Sequence, residues 1–210
     1  MNPYAHADKA NKELRSYIGA QFQNLSLMPF DEINSRTAKR NVGDAYKRIY
    51  VKCLAVFLTV AVAAYKEACA RAGKKPSALP KAAFIAAILS DYNPLTQFVY
   101  TAEWERKRDR TAEAMLSCES RMALRRALKV SKSVTARQVD WYTDIVTDEA
   151  MVKGYHDSAV KRVKWITQRD GHVCEICLMR DGKIYPIDKI PTKPHRGCRC
   201  YTIPIKEKEV

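Results

Sequence analysis

The sequence lacks an uninterrupted apolar run long enough to cross a lipid bilayer. Its longest apolar run, CLAVFLTVAVAAY from Cys53 to Tyr65, has 13 residues, whereas a transmembrane helix needs about 20. The N-terminal stretch MNPYAHADKANKEL has no apolar core, so it does not have the pattern of a signal peptide. We therefore expect a protein that is not secreted, that has no membrane partner and whose thiols stay reduced. The apolar run itself predicts a buried helix.

Familiar catalytic motifs are absent as well. The chain has no Walker loop, no Ser-His-Asp set and no pair of carboxylates in a credible arrangement. No His, Asn or Asp follows Cys200, although an HNH-type nuclease needs such residues downstream of its Asp-His step. The sequence therefore predicts a protein that is not an enzyme, with a zinc-supported nuclease as the less favoured alternative.

Acidic residues are scarce relative to basic ones. The chain has 23 Asp and Glu against 37 Lys and Arg, a formal net charge of +14. Such an excess favours contact with a polyanion, such as a nucleic acid, an acidic protein surface or an anionic membrane. The candidate nucleic-acid contacts are Arg106, Lys107, Arg108, Arg110, Arg125 and Arg126. The alternative is a solvated basic helix face with no dedicated partner.

Apolar residues at helical spacing predict a mainly α-helical N-terminal region with long helices. The predicted helices cover about residues 8–25, 46–68, 80–92, 94–128 and 133–157. Gly73 suits a helix C-terminus, Asn93 and Pro94 suit the start of the fourth helix, and Ser133 suits the start of the fifth. The Tyr and Phe stripe of the second helix is typical of core packing.

The character of the sequence changes after residue 157. The segments KRVKWIT, KIYPI and CYTIPI read as short strands, and the pairs Asp170-Gly171 and Asp181-Gly182 are turn signals. We therefore expect an α+β protein with a helical region over 1–157 and a small β-rich module over 158–210.

Cysteine is concentrated in this module. Cys174 and Cys177 form a C-x2-C pair, Cys198 and Cys200 form a C-x-C pair, and His195 stands three residues before Cys198. Zinc takes four thiolate or imidazole ligands in a tetrahedron, so the spacing offers five candidates for four positions. A cysteine-rich set favours a closed, structural zinc site. Such an ion would supply about 10–16 kcal/mol of folding free energy to a module with few large apolar side chains.

Two alternatives to this zinc site stay open. His172 is a weaker sixth candidate ligand, and the cysteines could instead be free thiols or form a disulfide after assembly. The remaining cysteines, Cys53, Cys69 and Cys118, lie singly in predicted helices. Cysteine at such positions commonly acts as a small buried apolar residue, so a metal role is expected only for the clustered ones.

The C-terminal segment resembles the signature of the phage Mu F-like minor head proteins, also called phage head morphogenesis proteins. The pattern is a Trp-x-Thr strand, an Asp, a C-x2-C pair, an Asp-Gly-Lys turn and a final HxxCRC. The matching residues are Trp165, Thr167, Asp170, Cys174, Cys177, Asp181, Gly182, Lys183, Pro194, His195, Cys198, Arg199 and Cys200. Arg196 departs from the family, which commonly has Pro there. The motif covers about 40 residues, and the resemblance extends over about 120 with the preceding helices.

This resemblance implies a minor capsid protein of a tailed bacteriophage, located in the phage head or procapsid and assembled in the host bacterial cytoplasm. The expected partners are the portal protein, contacted by the helical region, and the major capsid or scaffolding protein. The implied roles are head morphogenesis, DNA packaging or DNA ejection, and contact with double-stranded DNA is compatible with the +14 charge. The alternative is a zinc-containing nucleic-acid-binding protein.

Overall fold

The computed structural model describes residues 4–93, 98–168 and 173–205. The helices in these ranges are α1 (Ala5–Ser26), α2 (Ser35–Arg71), α3 (Ala82–Ser90), α4 (Tyr100–Leu116), α5 (Arg121–Asp157) and α6 (Glu175–Arg180). The strands are β1 (Tyr92–Asn93), β2 (Phe98–Val99), β3 (Arg162–Ile166), β4 (Ile184–Pro186) and β5 (Tyr201–Pro204). Short 3-10 turns cover Phe30–Glu32 and Ile187–Lys189. The predicted α+β class is confirmed.

Helices α2 and α5 form the centre of the helical part. Each has 37 residues, which corresponds to a length of about 55 Å, and α1 and α4 pack against both of them. The predicted core stripe of α2 is buried, as seen at Tyr46, Ile49, Cys53, Phe57, Val60, Ala61, Ala64, Tyr65 and Ala68. By length and composition α2 could also cross a membrane, but this apolar face is covered by the neighbouring helices.

A buried hydroxyl cluster joins three of these helices. The hydroxyl of Tyr46 in α2 lies 2.9 Å from Thr111 Oγ1 in α4 and 2.8 Å from Thr135 Oγ1 in α5. The Tyr46 ring also makes an edge contact with Trp104 of α4, with the ring centroids 5.1 Å apart. Because each of these three hydroxyls has a partner, the cluster places polar atoms in the core without leaving them unpaired.

The helix boundaries in the second half differ from the prediction. The expected helix over 94–128 is broken between Leu116 and Arg121, and the second piece continues without interruption to Asp157. Ser120 is the N-cap at which α5 begins, because its side chain accepts a hydrogen bond from the backbone N–H of Ala123 at 3.2 Å. Ser133, the expected N-cap, lies inside α5.

Two smaller expectations also fail in this region. Asn93 belongs to β1 and pairs with Phe98 of β2 rather than capping a helix, while Pro94 lies outside the described residues. Cys118 lies in the break between α4 and α5 and is half-buried, whereas Cys53 and Cys69 are buried within α2 as expected.

The three-stranded sheet connects the helical core to the cysteine-rich segment. Strand β3 lies between β4 and β5, with antiparallel pairing on both sides. Val163 of β3 packs with the helical core, whereas Trp165, two residues later, packs with the clustered cysteines. The Tyr155 hydroxyl of α5 donates to the carbonyl of Thr202 in β5 at 3.0 Å. The turn predicted at Asp170 lies outside the described residues, and the division into two domains stays a prediction.

Gly154 of α5 lies directly against α2. A Cβ at this position would be 2.7 Å from the Cβ of Ala68 and 2.9 Å from the carbonyl oxygen of Tyr65. We expect Gly154→Ala to lower the free energy of unfolding by about 1–3 kcal/mol because the two helices must separate, although alanine itself favours a helix over glycine by about 1 kcal/mol. Denaturant unfolding measures the change.

The matched control is Gly43→Ala in α2, where an added Cβ meets no atom within 4 Å. This variant should raise the free energy of unfolding by about 0.5–1 kcal/mol through helix propensity alone. Equal stabilisation by both substitutions would contradict the close approach of α2 and α5.

Candidate metal centre

The structure brings all five predicted ligand residues together. Cys174, Cys177 and His195 form one group whose potential ligand atoms lie within 4.8 Å of one another, and Cys177, Cys198 and Cys200 form a second. Cys177 belongs to both groups and is therefore the centre of the arrangement. A cavity of about 250 Å³ is lined by these five residues together with Gln168, Val173, Arg196, Gly197 and Arg199.

The distance between sulfurs suits a metal ion better than a disulfide. The Sγ atoms of Cys177 and Cys198 are 3.5 Å apart, whereas a disulfide bond is about 2.05 Å long. Two sulfurs bound to one tetrahedral zinc at about 2.3 Å lie about 3.8 Å apart. Cys200 is buried with these two, while Cys174 and His195 are partly exposed. The residues could therefore hold a metal ion with buried sulfurs on one side and a ligand from the exposed side.

The first pair of cysteines is positioned by α6. Cys174 is the N-cap, and its Sγ accepts a hydrogen bond from the backbone N–H of Cys177 at 3.4 Å. This hydrogen bond lowers the pKa of the Cys174 thiol, whereas burial raises the pKa of Cys177 and raises that of Cys198 to about 11. A metal binds thiolates, so its binding would release protons from this cluster.

The second pair of cysteines follows a tight turn. The backbone N–H of Cys198 donates to the carbonyl of His195 at 3.3 Å, and Gly197 has a φ of 73°, a conformation that glycine adopts without strain. Cys200 precedes β5, and residues two apart on an extended segment point the same way. The Nδ1 atom of His195 lies 3.1 Å from the Arg196 carbonyl oxygen. If Nδ1 donates its proton there, Nε2 is left as a metal ligand.

The Trp-x-Thr and Asp-Gly pairs provide the scaffold around the cluster. The hydroxyl of Thr167 donates to the carbonyl of Cys177 at 2.8 Å, and the backbone N–H of Thr167 donates to Asp181 Oδ1 at 2.8 Å. The backbone N–H of Gly182 donates to the carbonyl of Trp165 at 2.9 Å, with a φ of 75° at the glycine. These contacts fix α6 against β3. Asp170 and His172 lie outside the described residues.

The loop over residues 195–200 carries three of the candidate ligands, and we call it the metal loop. Sequence analysis missed a polar network that joins this loop to α5 and to the start of α1. Tyr4 donates its hydroxyl proton to Asp148 Oδ1 at 2.6 Å, and the same hydroxyl lies 3.1 Å from the carbonyl oxygen of Cys200. The ammonium of Lys193 lies 2.5 Å from Asp148 Oδ2. More than 140 residues separate Tyr4 from Asp148 along the chain, so no local pattern could have indicated this contact.

Arg199 extends the same network on the other side of the Tyr4 ring. Its guanidinium lies 2.9 Å from Asp8 Oδ1 and 4.7 Å from the centre of the Tyr4 ring. Since Arg199 stands between two of the clustered cysteines, the segment that carries these candidate ligands also binds α1. The arginine between the two cysteines of the CxC motif was the sequence feature that could have indicated this contact, although no pattern indicated Asp8 or Tyr4 as its partner.

The predicted nucleic-acid contacts are divided between two helices. Arg106, Lys107, Arg108 and Arg110 lie in α4, and Arg125 and Arg126 lie in α5. Arg106 and Lys107 both pair with Glu103, and Arg108 pairs with Asp109 at 2.9 Å. Arg125 lines an open groove between α1 and α5 with Lys129 and Lys132. Arg110, Arg125 and Arg126 are exposed.

No family model, curated protein or solved structure matches the chain. The resemblance to phage minor head proteins therefore depends on the residues of the sequence itself, chiefly those of the C-terminal signature.

Asp144, one turn before Asp148 in α5, gives a prediction about pH. Burial, with a smaller contribution from Asp148, raises the pKa of the Asp144 carboxyl to about 7, against the opposing charges of Lys193 and Arg199. Because the folded protein binds this proton more tightly than the unfolded chain, ionisation costs stability as the pH rises from about 4 to about 7. The full cost is present above pH 7.

We expect the free energy of unfolding of Asp144→Asn to rise relative to that of the wild type by about 1–3 kcal/mol when the pH is raised from 5 to 8. Unfolding by denaturant at both pH values measures this gain. Asp44→Asn, at an exposed carboxylate of α2, is the control and should change stability by less than about 0.5 kcal/mol at either pH. Parallel pH profiles for wild type and Asp144→Asn would contradict the raised pKa that burial gives to Asp144.

Proposed function

We propose that this protein is a minor head protein of a tailed bacteriophage, in which a zinc-held C-terminal module is a rigid docking element. The observation that carries the proposal is the convergence of Cys174, Cys177, His195, Cys198 and Cys200, the residues shared with the family signature. The long helices would contact the portal protein, and the major capsid or scaffolding protein is a further partner. The protein would act in the phage head or procapsid, assembled in the bacterial cytoplasm, during head morphogenesis, DNA packaging or DNA ejection.

Zinc is the ion that the donor set favours. Thiolates and imidazole in a tetrahedral set are typical of zinc, and a set with three or four sulfurs leaves no open position for catalysis. Cys177, Cys198 and Cys200 would supply three ligands, and Cys174 or His195 the fourth. Among the described residues, the buried cluster of this module contains one large side chain, Trp165, besides three cysteines. Its stability would therefore depend on the ion rather than on apolar packing.

The surface of the module supports a docking role. Ile176, Leu178 and Met179 of α6 and Ile184 of β4 are 44–62 % exposed. Apolar side chains presented on a small element that an ion holds rigid are typical of a protein contact surface. A portal or capsid protein with a complementary apolar surface is the partner we propose for it.

The second candidate function is contact with double-stranded DNA. The net charge of +14 supports it, as do Arg110, Arg125 and Arg126, which are exposed. A head protein meets packaged DNA, so the two functions are compatible. A zinc-supported nuclease stays the less favoured alternative, and stoichiometric zinc without DNA cleavage would support the structural role.

Cys177→Ser tests the metal centre, because Cys177 belongs to both groups of ligand atoms. We expect the wild type to contain one zinc per chain and this variant to lose it, together with several kcal/mol of the ion's contribution, since structural zinc contributes about 10–16 kcal/mol. Elemental analysis and thermal unfolding measure both effects. Cys118→Ser is the control, since its Sγ lies outside the cluster and donates to the Ala114 carbonyl. Full zinc content in Cys177→Ser would refute this assignment.

A double variant, Leu178→Ser with Met179→Ser, tests the docking surface. Loss of two apolar contacts should lower recovery with the portal protein in a pull-down, and incorporation into procapsids, by about tenfold or more. The control is Leu27→Ser with Met122→Ser, which changes the same residue types at positions 66 % and 64 % exposed elsewhere.

Normal incorporation of a Cys174→Ser, Cys177→Ser variant into procapsids would also argue against any role of the module in assembly.

A further inference from the structure

Basic residues from three separate elements meet beside the metal loop. They are Arg106, Lys107 and Arg110 of α4, Arg137 of α5, and Arg196 of the loop. We call these five residues the basic cluster. Burial and then the positive charges of the four arginines lower the pKa of Lys107 to about 8, so all four lie close enough for their fields to act on its ammonium. Only part of this set was expected from the sequence, since Arg137 and Arg196 are not among the predicted nucleic-acid contacts.

Trp141 is the contact that holds the loop arginine in this cluster. The Arg196 guanidinium lies 5.0 Å from the centre of the Trp141 ring, within the range of a cation–π interaction. Arg137 stands four residues before Trp141 in α5, so both side chains lie on the same face of that helix. On the loop, a Cβ added to Gly197 would be 3.9 Å from Trp141 Nε1. The metal loop therefore packs against the same helix face that carries Arg137.

Carboxylates of α4 and α5 lie beside the basic cluster and are themselves engaged in ion pairs. Glu103 is buried and pairs with both Arg106 and Lys107, the ammonium of Lys107 lying 2.6 Å from its Oε1. The nearby carboxylate of Asp140 is paired with Arg15 of α1 at 2.6 Å. The four arginines of the cluster are exposed. An anion that bound among them would relieve repulsion between like charges.

We propose that the basic cluster binds phosphate groups of a nucleic-acid backbone, and that the site is complete only when a metal holds the loop that carries Arg196. Arg196 stands between His195 and Cys198, so ligation on both sides of it fixes the backbone from which its side chain reaches Trp141. Guanidinium groups bind phosphate oxygens in pairs, and the exposed members of the cluster are all arginines. This inference rests on the DNA contact proposed above as a second function.

The test uses the metal-loaded full-length chain and a fluorescent DNA duplex of about 25 base pairs, with anisotropy measured between about 50 and 200 mM salt. We expect Arg137→Ala and Arg196→Ala each to weaken binding by about three- to tenfold and to lower the salt slope by about one. Arg40→Ala is the matched control, because it removes an exposed arginine from α2. It should change affinity by less than about twofold.

Metal removal by a chelator tests the link to the loop. Chelation should weaken DNA binding by the wild type about as much as Arg196→Ala does, and should have little further effect on that variant, because both changes remove the same contact. Arg196→Gln keeps much of the side chain and guards against a loss of folding in the alanine variant. Circular dichroism verifies that each variant is folded.

Three results would overturn the inference. Equal binding by Arg137→Ala, Arg196→Ala and Arg40→Ala would exclude the basic cluster as the site and leave the proposed DNA contact intact. Absence of any binding by the wild type at low salt would refute both. Displacement of the duplex by polyglutamate at equal charge concentration would indicate an acidic protein as the partner rather than a nucleic acid.

Discussion

The C-terminal module is organised around three buried cysteines, Cys177, Cys198 and Cys200, whose sulfurs lie close together. Thiols of small side chains supply little apolar cohesion, and among the described residues Trp165 is the one large side chain buried with them. An ion shared by these sulfurs would replace the missing core, and it would fix α6 and the loop before β5 in one arrangement. The hydrogen bonds from Thr167 to Cys177 and to Asp181 would then hold α6 in a fixed position against β3.

The same short segment both carries candidate metal ligands and attaches the module to the helices. Cys198 and Cys200 are buried in the cluster, while Arg199 between them binds Asp8 and the Tyr4 ring. Lys193, just before the loop, binds Asp148 of α5. The alternation of side chains along an extended segment makes both roles possible at once. A change in the positions of the clustered cysteines would therefore alter the contacts with α1 and α5. This coupling is the physical reason to expect that a bound ion would affect the surface around Trp141.

Local patterns in the sequence predict a large part of this architecture, and the failures have physical reasons. The periodicity of α2 and the alternation of β3 follow from burial on one face, so both were predictable. Ser120 and Ser133 are equally good caps by composition, and tertiary packing rather than propensity makes α5 continuous through Ser133. The cysteine and histidine spacing predicted the cluster because metal chemistry restricts it. The full basic cluster could not be predicted, because only the packing of α4, α5 and the loop brings Arg137 and Arg196 within electrostatic range of Lys107.

The spacing between the sulfurs of Cys177 and Cys198 has a consequence for the redox history of the protein. The two atoms are 3.5 Å apart, so a movement of about 1.5 Å would bring them to covalent bonding distance. An empty cluster in an oxidising medium would close this cross-link and remove Cys177 from both ligand groups at once. Any metal loading would therefore have to precede oxidation, and a chain that was oxidised first would need reduction before these sulfurs could bind an ion.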